Sequence, residues 1–232
     1  MVNKYSITVQ NQSGSQQQYV LFNKPPMVSG RVQGQIWSNV FAHGNTPRGS
    51  RATFSVFSQY YAIVATSQGS PSTGVEIDVT SERDVILGSL KDDGTAVPGT
   101  TLQLIVAKDA PQFSDTPLPN SSFSNAFEIQ TGNDFTVAQA KQGNYLIGLG
   151  GSRTGNSQDG PLATFVPEPR VRYQIQPSNT YYLTVGNYNK GEIIDVSRIG
   201  GSIATIDFTR LRSNNVVIVH DDHGRLNIQA QE

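Results

Sequence analysis

An antiparallel β-sandwich, jelly-roll or Greek-key-like, with at most one short helix is the fold class this sequence predicts. Short stretches that alternate apolar and polar residues recur along the 232 residues and are broken by Gly, Pro, Asn and Ser. Such spacing belongs to strands joined by tight turns. Helical periodicity is confined to one stretch near residues 134–141. The third observation is that part of the chain reads like another part.

Arg51-Ala-Thr-Phe-Ser-Val-Phe is followed by Tyr60-Tyr61-Ala-Ile-Val and then by Gly74-Val-Glu-Ile-Asp78-Val79-Thr80. Arg170-Val-Arg-Tyr-Gln-Ile-Gln is followed by Tyr181-Tyr182-Leu-Thr-Val and then by Gly191-Glu-Ile-Ile-Asp195-Val196-Ser197. The offsets are 119 residues at the arginines, 121 at the tyrosine pairs and 117 at the Ile-Asp-Val triplets. Small loop insertions produce such drift, so the expectation is one domain built by internal duplication. Its halves are 1–110 and 122–232, and the proline-rich stretch 110–122 joins them.

Taken in order, Tyr5, Ile7 and Val9 alternate with Ser6, Thr8 and Gln10 in a first half-buried strand. Residues 18–22 return as a more apolar strand, and Lys24-Pro25-Pro26 breaks it because proline donates nothing to a ladder. Residues 35–41 carry the single tryptophan, Trp37. The first repeat then supplies strands near 51–57, 60–66 and 74–80, and residues 84–90 and 100–107 supply two more. Asp134 is the expected N-cap of the short helix and Gly143 its stop. A Gly-rich loop spans 148–160. Strands at 202–208, 215–219 and 225–229 complete the chain, the last two flanking the turn His220-Asp-Asp-His-Gly224, with Gly where positive φ is needed.

Composition narrows the functional classes. Apolar residues make up 36% and charged residues 15%, and the net charge is −1. Such a weakly repulsive surface favours association. The charge is also uneven. Residues 1–75 hold Lys4, Lys24, Arg31, Arg48 and Arg51 and no acid, against 12 basic and 18 acidic residues in the remainder. That asymmetry suits contact between copies of the chain, whereas scattered cations make no nucleic-acid stripe. With no cysteine, thiolate chemistry and disulfides are excluded. No run approaches a membrane span, and Met1–Gln10 shows no signal-peptide pattern, so the expected location is cytoplasmic, with unconventional secretion as the other route.

Candidate sites follow from residue type. Neighbours in a strand face opposite ways, so one member of each pair Tyr60/Tyr61 and Tyr181/Tyr182 should point outward, to stack on a ligand or anchor a subunit contact. Trp37, near Asn39 and His43, is a further ligand or interface candidate. His220, Asp222 and His223, with Asp221, form the densest group of metal-ligating side chains. Asp78 and Asp195 occupy equivalent repeat positions, where a carboxylate faces water. The Gly-rich loop lacks the lysine of a P-loop and opens no helix. No catalytic motif is present and no cofactor is expected. The leading expectation is therefore a non-catalytic protein that binds or self-associates, with itself, a glycan or a small apolar ligand as partner. The alternatives are a carbohydrate-binding module and an isomerase or cyclase with an apolar pocket.

Overall fold

The computed structural model describes residues 2–229. In chain order the strands are β1 (Lys4–Asn11), β2 (Gln17–Asn23), β3 (Met27–Ser29), β4 (Trp37–Thr46), β5 (Arg51–Ser67), β6 (Ile77–Asp84), β7 (Ser89–Leu90), β8 (Ala96–Val97), β9 (Thr101–Ala107), β10 (Ala110–Phe113) and β11 (Phe127–Thr131). After helix α1 (Val137–Gln142) come β12 (Tyr145–Ser152), β13 (Gly160–Phe165), β14 (Arg172–Gln176), β15 (Thr180–Val185), β16 (Ile193–Ile194), β17 (Ile203–Asp207), β18 (Asn215–His220) and β19 (Leu226–Ile228).

The chain is nearly all-β, as expected, but its main sheet is barrel-like where an antiparallel sandwich, jelly-roll or Greek-key-like, was expected. Ten strands run in the order β17-β15-β2-β4-β13-β12-β5-β1-β18-β19, with β16 beside β4 and β6 beside β5. The sheet curls until its end strands β17 and β19 approach each other, and the Leu226 amide donates to Ser202 Oγ at 3.0 Å. No ladder is formed there among the described residues, so the barrel has a seam. A second sheet, β10-β9-β11-β14-β3, packs against it. Most pairs are antiparallel, but β1 runs parallel to β18 and β9 parallel to β11.

Period-two alternation decides which face is inner. In β1, Tyr5, Ile7 and Val9 are buried while Ser6, Thr8 and Gln10 are half-exposed. They join Leu21, Val64, Leu149 and Ile218 in one continuous core. Phe127, Ile129 and Tyr173 of the second sheet complete that core, with Tyr173 edge-on to Phe165 at 5.1 Å. Removing such side chains from water is the main stabilising term, about 1.5–3 kcal/mol for each large one. Part of the outer face is dry too, because residues 186–199 fold back over it. Ile194 packs on Val20, Phe22 and Val40, and Ile193 on Ala65 and Leu146.

The two similar sequence segments meet different fates. The first has no turn at residues 58–59, since β5 is one unbroken strand of 17 residues. One edge pairs with β1 and then with β6, the other with β12. In the second segment the chain leaves β14 in the small sheet and enters β15 in the barrel. Phe54 thus lies on the barrel strand β5, whereas Tyr173 lies in the second sheet. Of the proline-rich stretch, residues 110–113 form β10, an edge strand, where a proline is tolerated.

The helix is shorter than expected and is capped by Thr136. Its hydroxyl accepts from the Gln139 amide, the Gln139 side chain accepts from the Thr136 amide, and Gly143 ends the helix. Asp134 instead accepts from the Val106 amide at 2.5 Å.

Side chains span the seam from within. Tyr5 stacks on Phe208 with ring centroids 4.4 Å apart. The Tyr19 hydroxyl meets His220 Nδ1 at 2.9 Å. Burial holds the Tyr19 hydroxyl up at about 12, and burial lowers the His220 pKa, partly offset by Asp221. A folded-state pKa below the ordinary 6.5 means that the unfolded chain takes up this proton first. Stability is therefore expected to be lost as pH falls from above 6.5 through the lowered folded value, read by urea unfolding at several pH values. Tyr19→Phe should remove about 1 kcal/mol at neutral pH, since it leaves a buried imidazole nitrogen unpaired. Unchanged unfolding midpoints at every pH would contradict this.

Candidate binding cleft

Two crossings between the sheets build the site. The chain leaves β2 for β3 through Lys24-Pro25-Pro26 and returns from β14 to β15 through Pro177-Ser178-Asn179. Proline interrupts the ladder at both places, and the two crossings lie side by side. The Lys24 amide donates to Thr180 O at 2.9 Å, and Asn23 Nδ2 donates to Ser178 O and Thr180 O, each at 2.9 Å. Together with the start of β1, the middle of β5 and the end of β17, they enclose a cleft of about 650 Å³ over one end of the seam.

Hydrogen-bonding groups dominate its lining. Tyr5 and Tyr60 form the inner wall, and Met27 and Leu87 supply apolar surface. Asn3, Asn125, Gln176 and Asn179 contribute four side-chain amides. The Tyr60 hydroxyl donates to Asn179 Oδ1 at 3.0 Å, another tie across the seam. The amide groups of Asn3, Asn125 and Gln176 make no side-chain hydrogen bond within the described residues, so their donors and acceptors are available. Asn125 also holds φ at +62°, a left-handed conformation that asparagine tolerates better than most residues.

Electrostatics leave little proton chemistry in the cleft. Lys24 and Asp207 are its charged side chains. Asp207 Oδ1 accepts from the Thr209 hydroxyl at 2.6 Å and from the Thr209 amide at 3.0 Å, and Oδ2 pairs with Arg210 Nε at 3.2 Å. The Thr209 contacts foremost, then Arg210 and Lys24, hold its carboxyl below the usual range. Burial, reinforced by neighbouring Tyr5, pushes the Tyr60 hydroxyl well above its ordinary value. Behind this wall the Tyr181 hydroxyl is fully buried and has no hydrogen-bond partner among the described residues.

The sequence-derived candidates are only partly brought together. Tyr60 reaches the cleft and Tyr181 lies behind it, where burial foremost and then the nearby Tyr60 hydroxyl push the Tyr181 hydroxyl up. Their neighbours face the opposite side of the sheet, but neither stands free as an outward platform. Tyr61 is buried beside Ser152 of the Gly-rich loop. Tyr182 is half-buried against Phe22, with centroids 5.3 Å apart. Trp37 packs half-buried on the outer face near Ala65 and Leu146, and Asn39 is buried, bonded to Gly191 O and to Thr164. The Gly-rich loop is tied to itself, because Asp159 accepts from the Arg153 amide at 2.7 Å.

The metal candidates separate. His220 turns inward to Tyr19, while Asp222 and His223 stay exposed on the turn, paired at 2.6 Å. With half-buried Asp221 they form a cluster, but Asp221 already accepts from the His223 and Arg225 amides and from Asn227. Asp78 lies exposed in β6, and Asp195 caps a short 3-10 turn through Ser197, so the two carboxylates have different local roles. The five cations of residues 1–75 do not gather at one end. Lys4 lies over the Phe57 ring near one end of β1, and Arg51 pairs across from Gln10 near the other.

Sequence reasoning missed Tyr5, Lys24, Asn179 and Asp207 as cleft residues. The available signal was the pair of proline-marked breaks at 24–26 and 177. No helix among the described residues is long and apolar enough to cross a membrane. Asn179→Ala removes the partner of a largely buried hydroxyl and is expected to lower stability by about 1 kcal/mol, measured by urea unfolding; no change would mean that the tie is absent in solution.

No curated protein and no solved structure matches the chain. The RhiA family model matches residues 2–231, and the chain belongs to that family.

Proposed function

We propose that the chain is a non-catalytic binding protein that takes a polyhydroxylated ligand, a saccharide, in the cleft beside the seam. The lining carries this reading. Four amides and six hydroxyls surround a volume suited to a small ligand, and three of the amides make no side-chain hydrogen bond among the described residues. Planar amides that both donate and accept match sugar hydroxyls, which do the same. Tyr5 and Tyr60 are each only 6% exposed, so hydrogen bonding rather than broad ring stacking would dominate recognition.

The absence of catalysis is supported by the state of the ionisable groups. Asp207 is already committed to Thr209 and Arg210, and the raised Tyr60 hydroxyl is a poor acid at neutral pH. An isomerase or cyclase with an apolar pocket draws no support from a cleft lined in this way. Binding is measured by screening a glycan array and then by calorimetry on the hits. Gln176→Ala and Asn125→Ala are each expected to weaken binding about three- to tenfold, the effect of roughly 0.5–1.5 kcal/mol per hydrogen bond, with the fold intact. An array without hits, or hits unaffected by both substitutions, would overturn the reading.

Self-association is the second reading, favoured by large apolar side chains left in water. Met27, Ile86, Leu90 and Phe123 are each more than 60% exposed. The segments holding Ile86 and Phe123 are knitted together through Gly88, whose carbonyl accepts from the Asn125 amide at 2.7 Å. Light scattering over a concentration series should then show oligomers that Ile86→Ser with Phe123→Ser dissolves. A monomer throughout would exclude it.

A further inference from the structure

We infer that the cleft selects an acidic saccharide, one carrying a carboxylate such as a uronic acid, and that Lys24 is the residue that reads the charge. This rests on the saccharide-binding reading above and adds the ligand's charge to it.

The cleft holds few charges. Its lining contains one cation, Lys24, and one anion, Asp207. The anion's acceptor sites are occupied. One oxygen takes two hydrogen bonds from Thr209, and the other faces the Arg210 guanidinium at 3.2 Å. A carboxylate so engaged is neutralised locally and offers little to a ligand. Lys24 differs. Its side chain is exposed, and it forms no ion pair or hydrogen bond among the described residues. Lys4, although adjacent in sequence to lining residues, lies over the Phe57 ring instead. Lys24 acts on Asp207 at longer range, but with Arg210 counted against that carboxylate the net charge at the mouth is one positive, and the Lys24 ammonium offers three donors in water-accessible space.

Position strengthens the reading. Lys24 is fixed at its backbone by the bond from its amide to Thr180 O and is followed directly by Pro25 and Pro26. Proline restricts the residue before it as well as itself. The stem of Lys24 thus starts from a restricted crossing, and Gln176 lines the same cleft. A ligand holding hydroxyls to the amides would place a carboxylate substituent toward the ammonium.

The test uses a glycan array that pairs each uronic-acid oligosaccharide with its carboxyl-reduced counterpart, so that the two differ in charge and not in hydroxyl pattern. The acidic member of a bound pair is expected to bind about fivefold more tightly, the scale of one exposed ion pair. Lys24→Gln should erase that difference, the acidic member losing more affinity than the reduced one, a readout that a loss of folding would not give. The preference should also collapse as ionic strength rises toward roughly 1 M, where the Debye length is about 3 Å. Equal binding of acidic and reduced members overturns the charge assignment and leaves the saccharide-binding reading standing. Binding of neither member overturns both. Preference for the acidic member that survives Lys24→Gln assigns the charge reading to another group and refutes the role of Lys24.

Discussion

Everything in this fold depends on how the main sheet closes without a ladder. Between β17 and β19 the backbone supplies no run of hydrogen bonds, and side chains bridge the gap instead. Tyr5 rests on Phe208, Tyr19 meets His220, and Tyr60 reaches Asn179. Tyr5 and Tyr60 from one side of the seam and Tyr19 from the other each find a partner across it. An aromatic ring suits this task because it fills the interior and still carries a polar tip across it. The parallel pair β1/β18 joins the hairpin β18-β19 to the first strand, so that β19 becomes the edge facing β17.

The cleft is a by-product of the same geometry. A curled sheet with a second sheet against it needs crossings, and the crossings need breaks in pairing. Prolines at 25, 26 and 177 provide them, and the exposed polar groups released at the breaks line the space between. Tyr5 and Tyr60 thus serve both purposes, closing the seam inward and walling the cleft outward. The Tyr181 hydroxyl behind them, without a hydrogen-bond partner among the described residues, is a buried polar group held at an expense of about 1–3 kcal/mol. Such a group is retained only where packing on every side over-determines it.

Much of this was legible in the residues, and the failures have physical causes. Alternation located β1 correctly, with Tyr5, Ile7 and Val9 inward, because the period of two follows directly from strand geometry. The turn at 220–224 was also legible, since Gly224 does adopt positive φ, at +76°. The direction of His220 was not. It is the last residue of β18, and register places it inside, whereas composition alone grouped it with the exposed Asp222 and His223. Alternation required the members of each tyrosine pair to face opposite ways without saying which, and local sequence cannot say that loops 152–159 and 186–199 fold over the face that Tyr61 and Tyr182 take. Similar segments at 51–80 and 170–197 suggested similar hairpins. The absence of Gly or Pro at Ser58-Gln59 against Pro177-Ser178 is the difference that lets β5 run on while β14 and β15 part.

The seam is the claim on which the core, the cleft and the placement of Lys24 all rest, and proton NMR tests it directly. Nuclear Overhauser effects between the rings of Tyr5 and Phe208, and between those of Tyr19 and His220, report closure because they decay steeply with distance. Strong cross-peaks for both pairs are expected of a closed barrel. Their absence from an otherwise folded, well-dispersed spectrum would mean an open sheet and would contradict the structure described above.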